Sequence, residues 1–244
     1  MIRFIIAVLF VVMFLLFSYI LFFIEWIVGK CNKRAKDISS LRIVQWAFRS
    51  VLWISGVNIT VIGKENMPKE AALYVGNHRS FFDILIAYVQ CENLTGFVSK
   101  DSMNKVPSFR IWMRYLYCLF LDRKDIKQGM KTILQAIEYV KQGVSIFIFP
   151  EGTRNKGEDL SMLSFKEGSF KIALKTGCPI VPVSINNTAE IFENHLPRIK
   201  KTHVILEYGK PIYPKELDRD EQKHIGATCQ KIIEDTIRKN ASLV

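Results

Sequence analysis

The sequence predicts an α/β fold: a mixed sheet flanked by helices, preceded by an N-terminal membrane-embedded helix or two-helix anchor. Three observations lead there. Residues 4–24 carry no charged side chain. From Asn58 onward short β-rich runs alternate with helical patterns. Pro179, Pro211 and Pro214 punctuate the joins between those runs.

The anchor comes first. A helix over 4–24 is about 31 Å long and matches a hydrocarbon core of about 30 Å. A cleaved signal peptide would have a shorter apolar run and a small-residue cleavage site. The stretch Ile24-Glu25-Trp26-Ile27 offers no such site, so the segment is expected to stay. Arg3 alone precedes the run, whereas Lys30, Lys33, Arg34 and Lys36 follow it. Positive charge favours the cytoplasmic side, which places the body of the protein there. A second apolar stretch over 41–54 has helical spacing, with Trp46 and Trp53 suited to a headgroup interface. Arg42 and Arg49 argue against a full span. This amphipathic helix lies on the membrane or packs on the soluble domain, and the two helices span separately or form a hairpin in one leaflet. Removing residues 1–56 should then give a more soluble protein.

In the body, strands are expected at 59–62, 73–75, 96–99, Leu119–Leu121, 144–149, 180–185 and 204–208. A helix is expected over 125–142, with Asp125 as N-cap, Gly143 as stop and an apolar stripe of Ile126, Met130, Ile133, Leu134, Ile137 and Val140. A last helix should run over 218–240. The 244 residues suffice for one good-sized core, so residues 1–57 read as the anchor and 58–244 as the catalytic domain.

A net charge of +11, from 34 Lys plus Arg against 23 Asp plus Glu, suits anionic partners. With 49% hydrophobic residues the balance falls towards anionic membrane lipids and away from nucleic acid. Five scattered cysteines without a C-x-x-C pair exclude a disulfide framework and a zinc site.

Three segments place polar residues at strand ends, where an α/β fold exposes side chains to a crevice. After 73–75 come Gly76-Asn77-His78, then Asp83. On a continuous helix these two would not share a face, so they meet only if the chain turns between them. Asp83 would then take Nδ1–H of His78 and leave Nε2 as a general base. After 144–149 come Glu151, Gly152, Thr153 and Arg154, a set suited to a polyhydroxy or phosphorylated group. Asp122-Arg123 closes the strand at 119–121, and an Arg there matches phosphate oxygens bidentately. Arg123 and Arg154 follow strands read as parallel neighbours, which would bring both to one edge beside His78. Lys100, Lys105 and Lys166 stand nearby as further cations.

Together these segments resemble the four sequence blocks of the 1-acylglycerol-3-phosphate acyltransferases: Asn77-His78 with Asp83, Phe-Leu-Asp-Arg at 120–123, Phe-Pro-Glu-Gly-Thr-Arg at 149–154 and Val-Pro-Val at 181–183. The resemblance covers roughly residues 58–210. It implies His78 as catalytic base, Asp83 as its orienter, and Arg123, Glu151, Gly152, Thr153 and Arg154 as the acceptor site. It implies acyl transfer from acyl carrier protein or acyl-coenzyme A to the sn-2 hydroxyl of lysophosphatidic acid, giving phosphatidic acid. The thioester is a co-substrate; no cofactor and no metal are expected. The second block commonly opens with glycine where this chain has Tyr117, whose bulk should narrow the acceptor pocket. Glycerol 3-phosphate or another lysolipid is the alternative acceptor. A membrane-anchored metallohydrolase using His78, Asp83 and Glu151 is the alternative chemistry.

Overall fold

Residues 1–122, 125–158 and 160–244 are described by the computed structural model, with backbone alone at Ile126. Among them, seven strands form one sheet in the order β1-β7-β6-β2-β5-β3-β4. The strands are β1 (Val57–Ile62), β2 (Leu73–Gly76), β3 (Thr95–Lys100), β4 (Leu119–Leu121), β5 (Ser145–Ile148), β6 (Ile180–Asn186) and β7 (Thr202–Tyr208). Every neighbouring pair is parallel except β6 with β7. The five strands from β6 to β4 therefore end at one edge, and β2 sits between β6 and β5. The anticipated pairing of the Arg123 and Arg154 strands is corrected here: β3 lies between β4 and β5. Strands buried on both faces read as continuous apolar runs, and β2, β5 and β6 are buried throughout.

One face is covered by α1 (Ile2–Cys31), α2 (Lys33–Ser55), α3 (Phe82–Val89) and α4 (Pro107–Tyr115); the other by α5 (Ile126–Lys141), α6 (Lys171–Thr176) and α8 (Ile225–Asn240). Leu41, Val44 and Leu52 of α2 share a core with Ile86, Phe97 and Phe147. Phe97 stacks on Phe147 at 4.7 Å.

The first two helices form an antiparallel hairpin. α1 is 30 residues long, about 45 Å at 1.5 Å per residue. Asn32 closes it and caps α2 by accepting from Ala35 N at 3.0 Å. The polar first turns of α2, Lys33 to Ser40, belong to the helix because their side chains serve the hairpin. Ser39 and Ser40 donate to the buried carboxylate of Glu25. Gln45 Nε2 donates to the carbonyls of Tyr88 and Cys91, which ties α2 to the end of α3. Trp112 Nε1 of α4 donates to Ser18 Oγ at 2.8 Å, and Phe4 stacks on Phe192 at 5.4 Å, so α1 is held along the domain. Its opposite side, including Leu9, Leu16 and Phe23, is exposed, as are Trp46 and Trp53. By length and composition α1 can cross a membrane.

Two helical expectations are corrected. On α5 the inward face is Thr132, Ala136, Ile137 and Val140, while Met130 and Leu134 are exposed. Thr132 Oγ1 donates to Phe120 O at 3.1 Å, and this fit of small side chains against β4 sets the rotation of the helix. The last helix is broken into α7 (Arg219–Lys223) and α8. Asp218 and Glu221 form a capping box, and the step at His224 lets Gly226 pass the Glu167 carboxylate, where a Cβ would collide.

Candidate active site

β2 stops at Gly76 because Asn77 replaces its ladder bonds. Asn77 Nδ2 donates to Ile185 O at 2.9 Å, and its Oδ1 accepts from Ile185 N at 2.8 Å. The strand end is thereby pinned to β6, and His78 follows at the edge where the parallel strands finish. The chain then turns through Arg79, Ser80 and Phe81 into α3. Asp83, in its first turn, is wholly buried. Its Oδ2 accepts from Arg79 N and Ser80 N, both at 2.7 Å, and stands 2.9 Å from Nδ1 of His78. The turn required to bring the two side chains together is present. A carboxylate acceptor at Nδ1 keeps the ring proton there. Among the described residues Nε2 of His78 has no hydrogen-bond partner, and the ring stacks on Phe149 at 4.3 Å.

Glu151 follows β5, the other neighbour of β2. Its Oε1 accepts from His78 N at 2.7 Å and its Oε2 from Leu163 N at 2.9 Å. Desolvation raises its pKa above the usual carboxylate value, against the lowering effect of those two N–H donors. Both oxygens are therefore spent on holding the His78 turn to the 151–163 loop. Asn155 N closes the same junction by donating to His78 O at 2.7 Å. The metal reading needed free oxygens on Asp83 and Glu151, but protein donors engage all four, Thr188 Oγ1 taking the last at 2.5 Å.

Gly152 has φ +73°, a left-handed conformation that favours glycine. A Cβ there would stand 2.7 Å from Nζ of Lys166, so this lysine, unlike Lys100 and Lys105, lies against the third block. Thr153 is exposed. The Arg154 guanidinium sits 3.6 Å from the Phe81 ring centre, and its Nη1 donates to Glu193 Oε1 at 3.2 Å. A crevice of about 530 Å³ opens beside them, lined by Arg79, Phe81, Arg154, Asn155, Phe192 and Glu193 among others. Arg123 lies outside the described residues; Leu121, two positions before it, ends β4 at the same edge as His78.

The acyltransferase family model matches residues 58–186, just over half of the chain. The 1-acyl-sn-glycerol-3-phosphate acyltransferase of Haemophilus influenzae is 30% identical over 206 residues, 84% of each chain. The chain belongs to the 1-acylglycerol-3-phosphate acyltransferase family. The enzyme of that name from Borreliella burgdorferi is 38% identical over 142 residues, and the chain spans 56% of that relative's length. The crystal structure of the 1-acyl-sn-glycerophosphate acyltransferase of Thermotoga maritima superposes with a TM-score of 0.74 at 25% identity, covering 97% of both chains.

Within this acyltransferase, Tyr117 does not stand at the sheet edge that carries His78. It precedes β4, and β4, β3, β5 and β2 are parallel, so Tyr117 lies at the edge opposite His78. Its φ of +58° gives the physical reason for a glycine preference at this position. Its hydroxyl instead donates to Asp37 Oδ2 at 2.5 Å on α2. Sequence reading missed Thr188 and Glu193 as partners of the His78 turn. They stand 105 and 113 positions from Asp83 and Ser80, and no local pattern marks them. Asn77, directly after an apolar strand, was the legible clue to how that strand is pinned.

Proposed function

We propose that the protein transfers a fatty acyl group from an acyl thioester to the free sn-2 hydroxyl of 1-acylglycerol 3-phosphate, giving phosphatidic acid. The observation carrying this reading is the His78–Asp83 contact at a strand end, with the next residue, Arg79, lining a crevice. Nε2 of His78 takes the hydroxyl proton as the acceptor oxygen attacks the thioester carbonyl. The C–S bond breaks, and the proton passes to the leaving thiolate. General-base help of this kind contributes about 10²–10⁴-fold. Arg154 holds the acceptor phosphate with Arg123, and Gly152 and Thr153 line its approach. Glu151 serves the site indirectly, as the strut between the His78 turn and the third block.

The donor is acyl carrier protein or acyl-coenzyme A, since both present the same thioester. The exposed apolar side of the hairpin seats the enzyme in the membrane, where a single-chain acceptor already resides. The basic residues after Cys31 favour a catalytic domain on the cytoplasmic side.

The test is purified protein in phospholipid vesicles, offered 1-acylglycerol 3-phosphate, glycerol 3-phosphate and uncharged lysolipid with each labelled donor. Label should enter phosphatidic acid. Failure to acylate any phosphorylated acceptor with either donor would overturn the reading.

A further inference from the structure

The turn after β6 reaches the His78–Asp83 pair from the neighbouring strand. Asn187 holds φ +70°, and its Nδ2 donates to His203 O at 2.9 Å, which fixes the turn. The preceding strand is locked to β2 by the paired bonds of Asn77 and Ile185. Thr188 is buried, and its Oγ1 donates to Asp83 Oδ1 at 2.5 Å. The two oxygens of Asp83 are thus held differently: Oδ2 takes three donors, and the hydroxyl of Thr188 fixes Oδ1. Rotation about the Cβ–Cγ bond of an aspartate is soft, so a donor on the second oxygen sets the plane of the carboxylate.

We propose that Thr188 is a positioning residue that acts on the general base through Asp83. The inference rests on the reading of His78 as that base. The hydroxyl does two things. It holds Oδ2 in line with Nδ1–H, and it withdraws negative charge from the carboxylate, as a donor to an anion does. Without it, a more concentrated charge would hold the imidazolium of His78 more firmly, and the base would stay protonated to higher pH.

Other charged groups face this pair. Glu151 binds the His78 backbone, Glu193 binds Ser80 and Phe81 N, and Arg154 pairs with Glu193. The Arg79 guanidinium donates to the carbonyls of Gly157 and Glu158. Thr188→Val alters none of these formal charges.

The experiment compares the pH dependence of kcat/KM, together with kcat, acceptor KM and thermal midpoint, for wild type, Thr188→Val, Thr188→Ser and His78→Ala. Thr188→Val should lower kcat roughly tenfold, leave acceptor KM near wild type and move the acid limb to higher pH. Thr188→Ser, which keeps the hydroxyl, should restore most of both. Wild-type kcat and an unmoved acid limb in Thr188→Val would overturn the proposal. Equal impairment in Thr188→Ser would also overturn it, because the methyl rather than the hydroxyl would then matter. If Thr188→Val does not fold, Thr188→Ala provides the same comparison. Activity surviving in His78→Ala would overturn the general-base reading itself. An inactive His78→Ala beside a normal Thr188→Val would overturn the Thr188 proposal alone.

Discussion

Nδ1 of His78 and Oδ2 of Asp83 stand 2.9 Å apart across a turn whose own backbone donors, Arg79 N and Ser80 N, converge on that same oxygen. One carboxylate therefore closes the turn and orients the imidazole. Its place in the first turn of α3 also suits an anion, because the helix N-terminus carries partial positive charge. Local folding and the proposed chemistry depend on one atom.

His78→Ala should lower turnover by about 10²–10⁴-fold and leave the fold intact, since among the described residues the ring makes one hydrogen bond and one stacking contact. Asp83→Asn should also be severe. An amide in that place accepts with one oxygen only and favours the wrong imidazole tautomer. Turnover in His78→Ala above about a tenth of wild type would show that another group takes the proton.

Glu151→Gln tests the strut. The amide keeps one accepting oxygen and its nitrogen accepts nothing, so either His78 N or Leu163 N, both in a part-buried junction, loses its partner, which costs up to about 1–3 kcal/mol. The raised pKa of Glu151 adds a pH signature. Below the ordinary carboxylate value the residue is protonated in both states and imposes no penalty. As pH rises towards its folded value, the unfolded chain ionises first and stability falls. Thermal midpoints followed as pH rises from the ordinary carboxylate value should show this loss in wild type and lack it in Glu151→Gln.

The parts visible in the sequence share a physical cause. β2, β5 and β6 are buried on both faces, so they are unbroken apolar runs, and the residues that end them are polar by contrast. That contrast exposed His78, Glu151 and Arg154. It fails where a contact joins distant segments, as with Thr188 on Asp83 or Glu193 on Ser80. It also fails where an apolar stripe is wider than the buried face, so that Met130 and Leu134 read as core on α5 yet face outward. The polar start of α2 was invisible because its partner, Glu25, is itself buried in α1.

Deletion of residues 1–56 should give an unfolded or aggregated chain rather than a more soluble enzyme. Leu41, Val44 and Leu52 are core residues, and Gln45 satisfies two carbonyls at the end of α3. Burial of one such Leu or Val contributes about 1.5–3 kcal/mol, so losing three removes an amount comparable with a typical net stability of about 5–15 kcal/mol. Serine at Leu9, Leu16 and Phe23, on the exposed side of α1, should instead leave the circular dichroism spectrum unchanged and weaken binding in vesicle flotation. A folded, active 1–56 deletion would show that the hairpin is dispensable to the core.

The remaining prediction concerns Arg154. Its guanidinium is oriented by the Phe81 face and by Nη1 bonded to Glu193, and among the described residues its other donors are left for an acceptor phosphate. Arg binds phosphate through a planar fork, whereas Lys is a point charge and stacks less well on an aromatic ring. Arg154→Lys should therefore keep the positive charge and lose the geometry. If phosphate binding helps align the sn-2 hydroxyl with His78, kcat should fall together with a rise in KM. Steady-state kinetics of wild type and Arg154→Lys on phosphorylated and dephosphorylated acceptor read this directly. Wild type should prefer the phosphorylated lipid, and the variant should lose roughly tenfold or more of that preference. Unchanged discrimination would move the phosphate elsewhere, with Lys166 against Gly152 as the next group to substitute.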